Sequence, residues 1–465
     1  MKRLSPWFFV AVVLLVLVSP LIYWSTGIGQ AAPGLSPEII YQPNHTLISS
    51  PKAEALHTLS LPMRIHRLIM YPLLLLTFQL SGGAIWLRQR LETWTQGVSG
   101  FGHGWSWLKR LKVIGRWWPQ RWYEHLNGQD ILVMLLFVLL FQLAVFCLYL
   151  PFNFYRGFII GHQFGLSTQT ALGWLGDWGK SVIIALLTEA LPWVILFGLM
   201  RLLPRRWPFP AGALLFTFTL IFAVLAPIFI TPLFFEVHPL TDTDLRARIL
   251  TMADRAGLPV NDVFVIDASN KTTQVNAYVA GFGQARRMVL YDTLISGYKP
   301  EEIEAVLAHE LGHWYYGHVF WSVLGLGAAG WLALFALRWL LERSWRWLRL
   351  TGPADVAGWP YILAVISLMT TLSLPAQNAI SRYAENQADE FALTVSQQPA
   401  AFIALFTGLA EQNLSIVDPP AWEKFIFYTH PPTIERIQRA ESWTLKRAES
   451  LKDFKKSRTV LGRQF

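Results

Sequence analysis

Residues 306–320 read VLAHELGHWYYGHVF. On a helix, residues four apart share a face, so His309 and His313 project together while Glu310 stands beside them. Two imidazoles on one face with an adjacent carboxylate make the HExxH pattern of zinc hydrolases. The histidines hold the ion and the glutamate takes a proton from water. The residues upstream favour a helix: Pro300 suits a first turn, and Glu301 and Glu302 complement its positive end. Ile303, Val306, Leu307 and Leu311 then recur at helical spacing. Downstream the stretch runs straight into an apolar segment, and one helix is expected to carry the ligands and continue into the membrane.

The whole chain has that membrane character. Of 465 residues, 53% are hydrophobic, 15% are charged and 22 are tryptophan. Tryptophan in that abundance suits the water–lipid boundaries of a multi-pass protein. About 20 apolar residues cross a bilayer. Seven segments reach or approach that length: 7–26, 67–87, 131–151, 182–203, 211–234, 319–341 and 360–380. The first is read as a retained helix rather than a signal peptide, because its apolar core from Trp7 to Trp24 is long for a cleaved leader.

The net charge of +9 comes from short basic segments between apolar runs. These are Lys2 and Arg3; Arg88, Arg90, Lys109, Arg110, Lys112, Arg116 and Arg121; Arg201, Arg205 and Arg206; and Arg338, Arg343, Arg346 and Arg349. In a seven-span serpentine all four groups fall on one face. The positive-inside rule makes that face cytoplasmic and puts residues 235–318 and the C-terminal region opposite. The excess is therefore topological and does not signal nucleic-acid binding. Cys147 is the only cysteine, which excludes an intramolecular disulfide and a cysteine-based zinc site.

The expected fold class is mainly α: seven transmembrane helices with a small α/β zincin-like domain between spans five and six, completed by C-terminal helices. The expected divisions are 1–234 (spans one to five), 235–318 (zinc-protease domain), 319–380 (spans six and seven) and 381–465 (C-terminal helical region). LTDTDLRARILTMADRAGLP has Leu245, Ile249, Met252 and Ala256 on one helical face. DVFVIDAS, TTQVNAYVAGF and RRMVLYD read as short strands.

A catalytic zinc with two histidines needs a third protein ligand and an open position for water. The metzincin continuation HExxHxxGxxH is excluded, since Tyr316 and Val319 occupy its Gly and His positions. A glutamate on a second helix is the alternative. In SRYAENQADEFAL, Glu385 would be that ligand, one Zn2+ being held per chain. Asp389, four residues on, would orient a ligand imidazole through its second nitrogen. His318 follows His313 by five residues, points elsewhere on a helix, and is read as a non-ligand.

HELGHW, SRYAENQADEFA, QVNAYVAGFG with RRMVLYDTL, HQFGLSTQ and HPPTIERI together resemble the type I CAAX prenyl proteases, integral-membrane zinc metalloendopeptidases of the gluzincin type. The resemblance covers about residues 130–445 and is weakest at the N-terminus. It implies seven helices around an intramembrane chamber. It implies that Asn276, with Ala277 and Tyr278, lies on a cleft-lining strand to which a substrate peptide adds. It also implies that His430 and Arg436 stand near the zinc, where His430 can hydrogen-bond a developing oxyanion. By its surroundings alone His430 reads as a loop histidine. Glu189, in mid-span, would face the chamber or a partner residue. One departure is Gly161, which precedes His162 where the family often has glutamate.

The implied activity is peptide-bond hydrolysis in the membrane, either C-terminal processing of prenylated CAAX peptides or membrane-protein quality control. The expected partners are peptide or membrane-protein substrates, prenylated or not, and the lipid bilayer, with the chain acting as a monomer and no nucleic acid involved. The expected location is a bacterial inner membrane with the catalytic side periplasmic, the endoplasmic reticulum membrane being the alternative. A seven-helix transporter or channel with a structural zinc domain is the reading from another class. A structural site usually fills all four positions with protein ligands and has no need of Glu310, so three candidate ligands favour catalysis. A four-span, heat-shock-type membrane zinc protease conflicts with the span count.

Overall fold

A computed structural model describes residues 5–41, 47–96, 128–258, 260–280 and 287–461. Lys2, Arg3, Lys109, Arg110, Lys112, Arg116 and Arg121 lie outside the described residues, as do residues 281–286 of the expected strands. Among the described residues six helices are long and apolar enough to cross a membrane, or seven if one bent pair counts as a single span.

α1 (Pro6–Trp24) opens the chain's membrane part. α2 (Pro51–Ser81) begins on Ser50, whose side chain accepts the Ala53 N–H, with Pro51 in the first turn. Gly82, at φ 91°, closes it in the left-handed region, and α3 (Gly83–Thr95) follows. The second span thus starts well before the expected 67–87. Arg64, His66 and Arg67 sit inside this helix and interrupt the apolar run that marks a span in sequence. α4 (Gly128–Phe154) passes through a π-helical turn at Tyr155–Ile159 and ends at Gln163. α5 (Ala171–Leu202) lies against it, and Gln142 donates to Glu189 Oε2 at 2.6 Å. That bond gives the mid-span carboxylate the partner its desolvation demands. α6 (Pro208–Leu225) bends through a π turn at Ala226–Ile230, where Pro227 and Pro232 remove backbone donors.

The sheet that follows has the order β1-β2-β4-β3, with β1 (Val237–Pro239), β2 (Asp262–Ile266), β3 (Ala277–Ala280) and β4 (Arg287–Tyr291). β2 and β4 run parallel and the other pairs antiparallel, which leaves β3 at an edge. The TTQV part of the expected strand forms no strand; Thr272 makes only an isolated bridge to Ser167. α7 (Thr243–Arg255), capped by Asp242, covers the sheet through Ile249 and Ala253.

α8 (Pro300–Tyr315) carries HExxH, and its first turn is closed by the Lys299 N–H donating to Glu302 at 2.9 Å. It ends there. Gly317, at φ 65°, turns the chain before α9 (His318–Ser344), so the ligand-bearing helix and the sixth span are two helices rather than the continuous one expected. α10 (Trp359–Ser396) does run unbroken from the membrane to Glu385 and beyond. α11 (Pro399–Gln412), α12 (Ala421–Phe427) and α13 (Thr433–Leu461) complete the fold. Leu307 and Leu311 of α8, Ala392 of α10, Phe402 of α11 and Val263 and Leu290 of the sheet share one buried core. Burying each such large side chain is worth about 1.5–3 kcal/mol.

The far end of the molecule is basic. Arg88 pairs with the buried Asp355, Arg201 reaches the Ala354 carbonyl, and Arg338 reaches the Arg205 carbonyl. α9 separates that end from the HExxH helix by roughly 40 Å, at 1.5 Å per residue.

Candidate active site

His309 and His313 stand one turn apart on α8 and face α10. Their Nε2 atoms are 3.1 Å apart. Glu385 of α10 puts Oε2 3.2 Å from His309 Nε2 and Oε1 3.4 Å from His313 Nε2. One donor atom from each residue lies within 4.8 Å of the others. Two imidazoles and a carboxylate converging on one point are a donor set suited to zinc with an open coordination position, so these residues fit the ion.

Behind them the contacts are polar and buried. Asp389 is 0% exposed, and its Oδ1 lies 2.9 Å from His309 Nδ1, although the N–H direction is off the line to the oxygen. Arg436 donates to Glu385 Oε2 at 2.7 Å and lies 3.5 Å from Asp389 Oδ1, with its guanidinium 4.3 Å from the Phe406 ring centre. One fixed cation thus lies against two buried carboxylates. Glu310 faces the cavity beside the histidines. Burial, the largest influence, pushes its carboxyl above the ordinary range, with His309 and His313 opposing.

His430 Nε2 is 3.4 Å from Glu385 Oε1, and its Nδ1 is 2.8 Å from Thr429 Oγ1. The side chain is 62% accessible, yet enclosed by the cavity walls. Desolvation in that enclosure pulls its pKa below the ordinary histidine value, with Glu385 opposing. His318 touches the back of the cluster: its Nδ1 is 3.0 Å from His313 Nδ1 and its Nε2 is 3.1 Å from Gln387 Oε1. It meets the imidazole nitrogen turned away from Glu385. Gln387 was not legible as a site residue, because nothing in its spacing separates it from a surface amide.

A cavity of about 880 Å³ opens between the membrane helices and the protease unit, reaching Glu310, His430, Arg436, Asn276 and Ala277 on one side and Arg64, Asn153 and Arg156 on the other. Asn276 stands one residue before β3, its side chain accepting the Ala277 N–H at 2.9 Å and its carbonyl accepting the Tyr291 N–H at 3.1 Å. Tyr278 points to the opposite face, as strand alternation requires, and packs beside Ile266, Ala268 and Val289. Of the three candidate substrate-binding residues, two reach the cavity and Tyr278 does not.

The HQFGLSTQ loop straps this edge in place. Thr272 and Thr273 hydroxyls donate to the Leu166 and Gly165 carbonyls, each at 2.8 Å, and Thr168 donates to the Ser269 carbonyl at 2.7 Å. Lys271 pairs with Asp177 of α5. His162 itself bonds only the Phe158 carbonyl at 2.8 Å, while a Cβ at Gly161 would stand 3.0 Å from that of Ser167.

Residues 239–444 match the model of peptidase family M48, and residues 84–236 match the model of the CAAX prenyl protease N-terminal region with five membrane helices. The chain is 31% identical over 326 residues to a Bacillus subtilis protein named uncharacterized metalloprotease YhfN, covering 69% of this chain and 76% of that one. It is 30% identical over 313 residues to CAAX prenyl protease 1 of Saccharomyces cerevisiae, covering 62% and 67%. The crystal structure of S. mikatae Ste24p superposes with a TM-score of 0.63 at 23% identity, over 83% of this chain and 98% of that one, which shows a common fold.

Proposed function

The chain belongs to peptidase family M48, among the CAAX prenyl proteases, and we propose that it works with one zinc ion held by His309, His313 and Glu385. It is a multi-pass membrane metalloprotease acting on peptide substrates. Bound zinc supplies a Lewis acid that acidifies water and polarises a peptide carbonyl. Glu310 accepts a proton from the attacking water and delivers it to the leaving amine. His430 hydrogen-bonds the oxyanion that develops on the carbonyl, and Arg436 holds Glu385 and Asp389 in place behind the ligands. Asn276 and Ala277 present the exposed edge of β3, to which an extended peptide adds as a strand.

The convergence of three donors beside Glu310, inside a chamber, carries this reading. A structural zinc domain in a transporter is not favoured: among the described residues no fourth protein donor completes the cluster. Metal analysis of the purified chain together with hydrolysis of a quenched peptide tests it. One equivalent of zinc and chelator-sensitive cleavage are expected; a zinc-loaded, folded protein without peptidase activity overturns it.

For the substrate we propose prenylated CAAX peptides, on the strength of the relatives' names; one chain holds all three candidate ligands, which supports action as a monomer. The basic end of the bundle supports a second reading of the physiological role. Arg88, Arg201 and Arg338 lie at the end opposite the HExxH helix. Positive-inside topology then orients the catalytic side away from the cytoplasm, periplasmic if the membrane is a bacterial inner membrane. Removal of damaged membrane proteins fits that compartment. Cleavage of a prenylated peptide but not of its unprenylated twin would favour the first role.

A further inference from the structure

The chamber wall opposite the catalytic cluster carries cations that the mechanism does not use. Arg64 and Arg67 sit three residues apart on α2, on one helical face, and Arg156 lies in the π-helical turn at the end of α4. π turns inside α-helices occur frequently at functional sites, and an ionisable residue within a spanning helix is a functional candidate by default. Arg64 and Arg156 both line the cavity, and all three side chains are exposed to the space around them. Arg64 and Arg156 thus share one wall of the cavity, and Arg67 stands one helical turn from Arg64.

No ion pair among the described residues offsets that charge, although Glu54 and Glu423 act on Tyr428 together with Arg64. The cavity's other lining cations are paired, Lys271 with Asp177 and Arg436 with Glu385. Among the described residues Glu310 is the one carboxylate on the cavity lining, and it belongs to the catalytic cluster. Glu423, on the neighbouring α12, is taken up by His57 at 2.7 Å. Arg64, Arg67 and Arg156 make no ion pair with any described residue. Guanidinium groups that line one wall without an ion-paired carboxylate are suited to a planar anion, which their forks can bind through paired hydrogen bonds.

We propose that Arg64 and Arg156, supported by Arg67, bind the free C-terminal carboxylate of the peptide whose scissile bond lies at His309, Glu310 and His313. A space of about 880 Å³ is that of a small-ligand pocket and admits a chain end rather than a folded segment. With its end fixed on the arginines, the peptide runs across the cavity to the β3 edge, and the span between anchor and metal site selects which bond is cut. Arg64 also acts on Tyr428, two residues before His430, which ties the anchor to the loop that carries the oxyanion donor. The proposal rests on the peptidase reading and adds to it the residues that hold the end of the peptide.

The test uses the full chain in nanodiscs and one labelled peptide made twice, with a C-terminal carboxylate and with a C-terminal amide. Binding is measured by anisotropy in the Glu310→Gln background, which separates recognition from hydrolysis. The acid should bind about tenfold tighter or better, a difference typical of one charge-assisted contact. R64Q with R156Q should abolish that preference, while R64K with R156K should retain most of it. Equal binding of acid and amide, or a preference that survives R64Q with R156Q, overturns the proposal. So does loss of bound phosphatidylglycerol from the arginine variants with the peptide preference unchanged, because the anion is then a lipid headgroup. Absence of cleavage of either peptide by the unmutated chain, with the binding preference intact, would fault the peptidase reading and leave the anchor standing.

Discussion

Gly312 and Ala388 meet backbone to backbone where α8 crosses α10. A Cβ at 312 would stand 2.9 Å from the Ala388 Cα and 3.1 Å from the Phe391 Cβ. This contact sets the distance between the helix that carries His309 and His313 and the helix that carries Glu385. Gly312→Ala should force the two apart, costing about 1–3 kcal/mol. Zinc retention should fall with it, read by metal content against chelator concentration and by thermal unfolding. Unchanged zinc affinity would show that the crossing does not set the ligand distances.

Glu310→Gln removes the proton acceptor and keeps the volume. Zinc content should stay at one per chain while kcat falls by about 10²–10⁴-fold, the range for a general acid–base group. Stopped-time assays on a zinc-saturated variant check it, and near-normal turnover would remove Glu310 from the mechanism.

Asp389 is wholly buried against His309 Nδ1 and Arg436. Asp389→Asn keeps the shape and loses the charge that orients the imidazole. Zinc affinity should drop about 10–100-fold, as for other groups that position a metal-binding histidine. Competition with a chromogenic chelator measures this directly.

Arg88 and Asp355 form a buried pair at the opposite end of the molecule. Asp355→Ala leaves Arg88 with the partly exposed Glu92, 3.4 Å away, as its ion-pair partner and should cost about 1–3 kcal/mol of stability. Turnover per folded molecule should not change, since α9 separates this pair from the metal site. A scan of unfolding temperature alongside active-site titration distinguishes the two effects.

Reporter fusions after Arg346 and after Gln398 should report opposite sides of the membrane, with the Arg346 fusion cytoplasmic. Both fusions on one side would contradict the serpentine.

The sequence shows the HExxH helix and Glu385 clearly, because ligand spacing on a helix is a local property and the residue types are rare in apolar surroundings. Asn276, His430 and Arg436 were accessible only through resemblance, since their roles depend on where loops return in space. The start of α2 was hidden by Arg64, His66 and Arg67. Arg64 lines the chamber and His66 stacks on Phe152, and these polar residues are the ones that a hydropathy window rejects. Tyr278 shows the reverse limit: a motif can mark a strand correctly while alternation turns one of its members away. The break at Gly317 was legible only as a glycine, and the positive φ that ends the helix belongs to the folded chain.

That break has a mechanical meaning. A bilayer thinner or thicker than the spans makes helices tilt. Any tilt of α9 would meet the turn at Gly317 before it reached His309 and His313. α10 runs as one helix from Trp359 to Ser396, with Pro375 the one proline in its interior before Glu385. The two halves of the donor set are therefore reached from the membrane by different routes, the histidines across a left-handed glycine turn and the glutamate along a continuous helix.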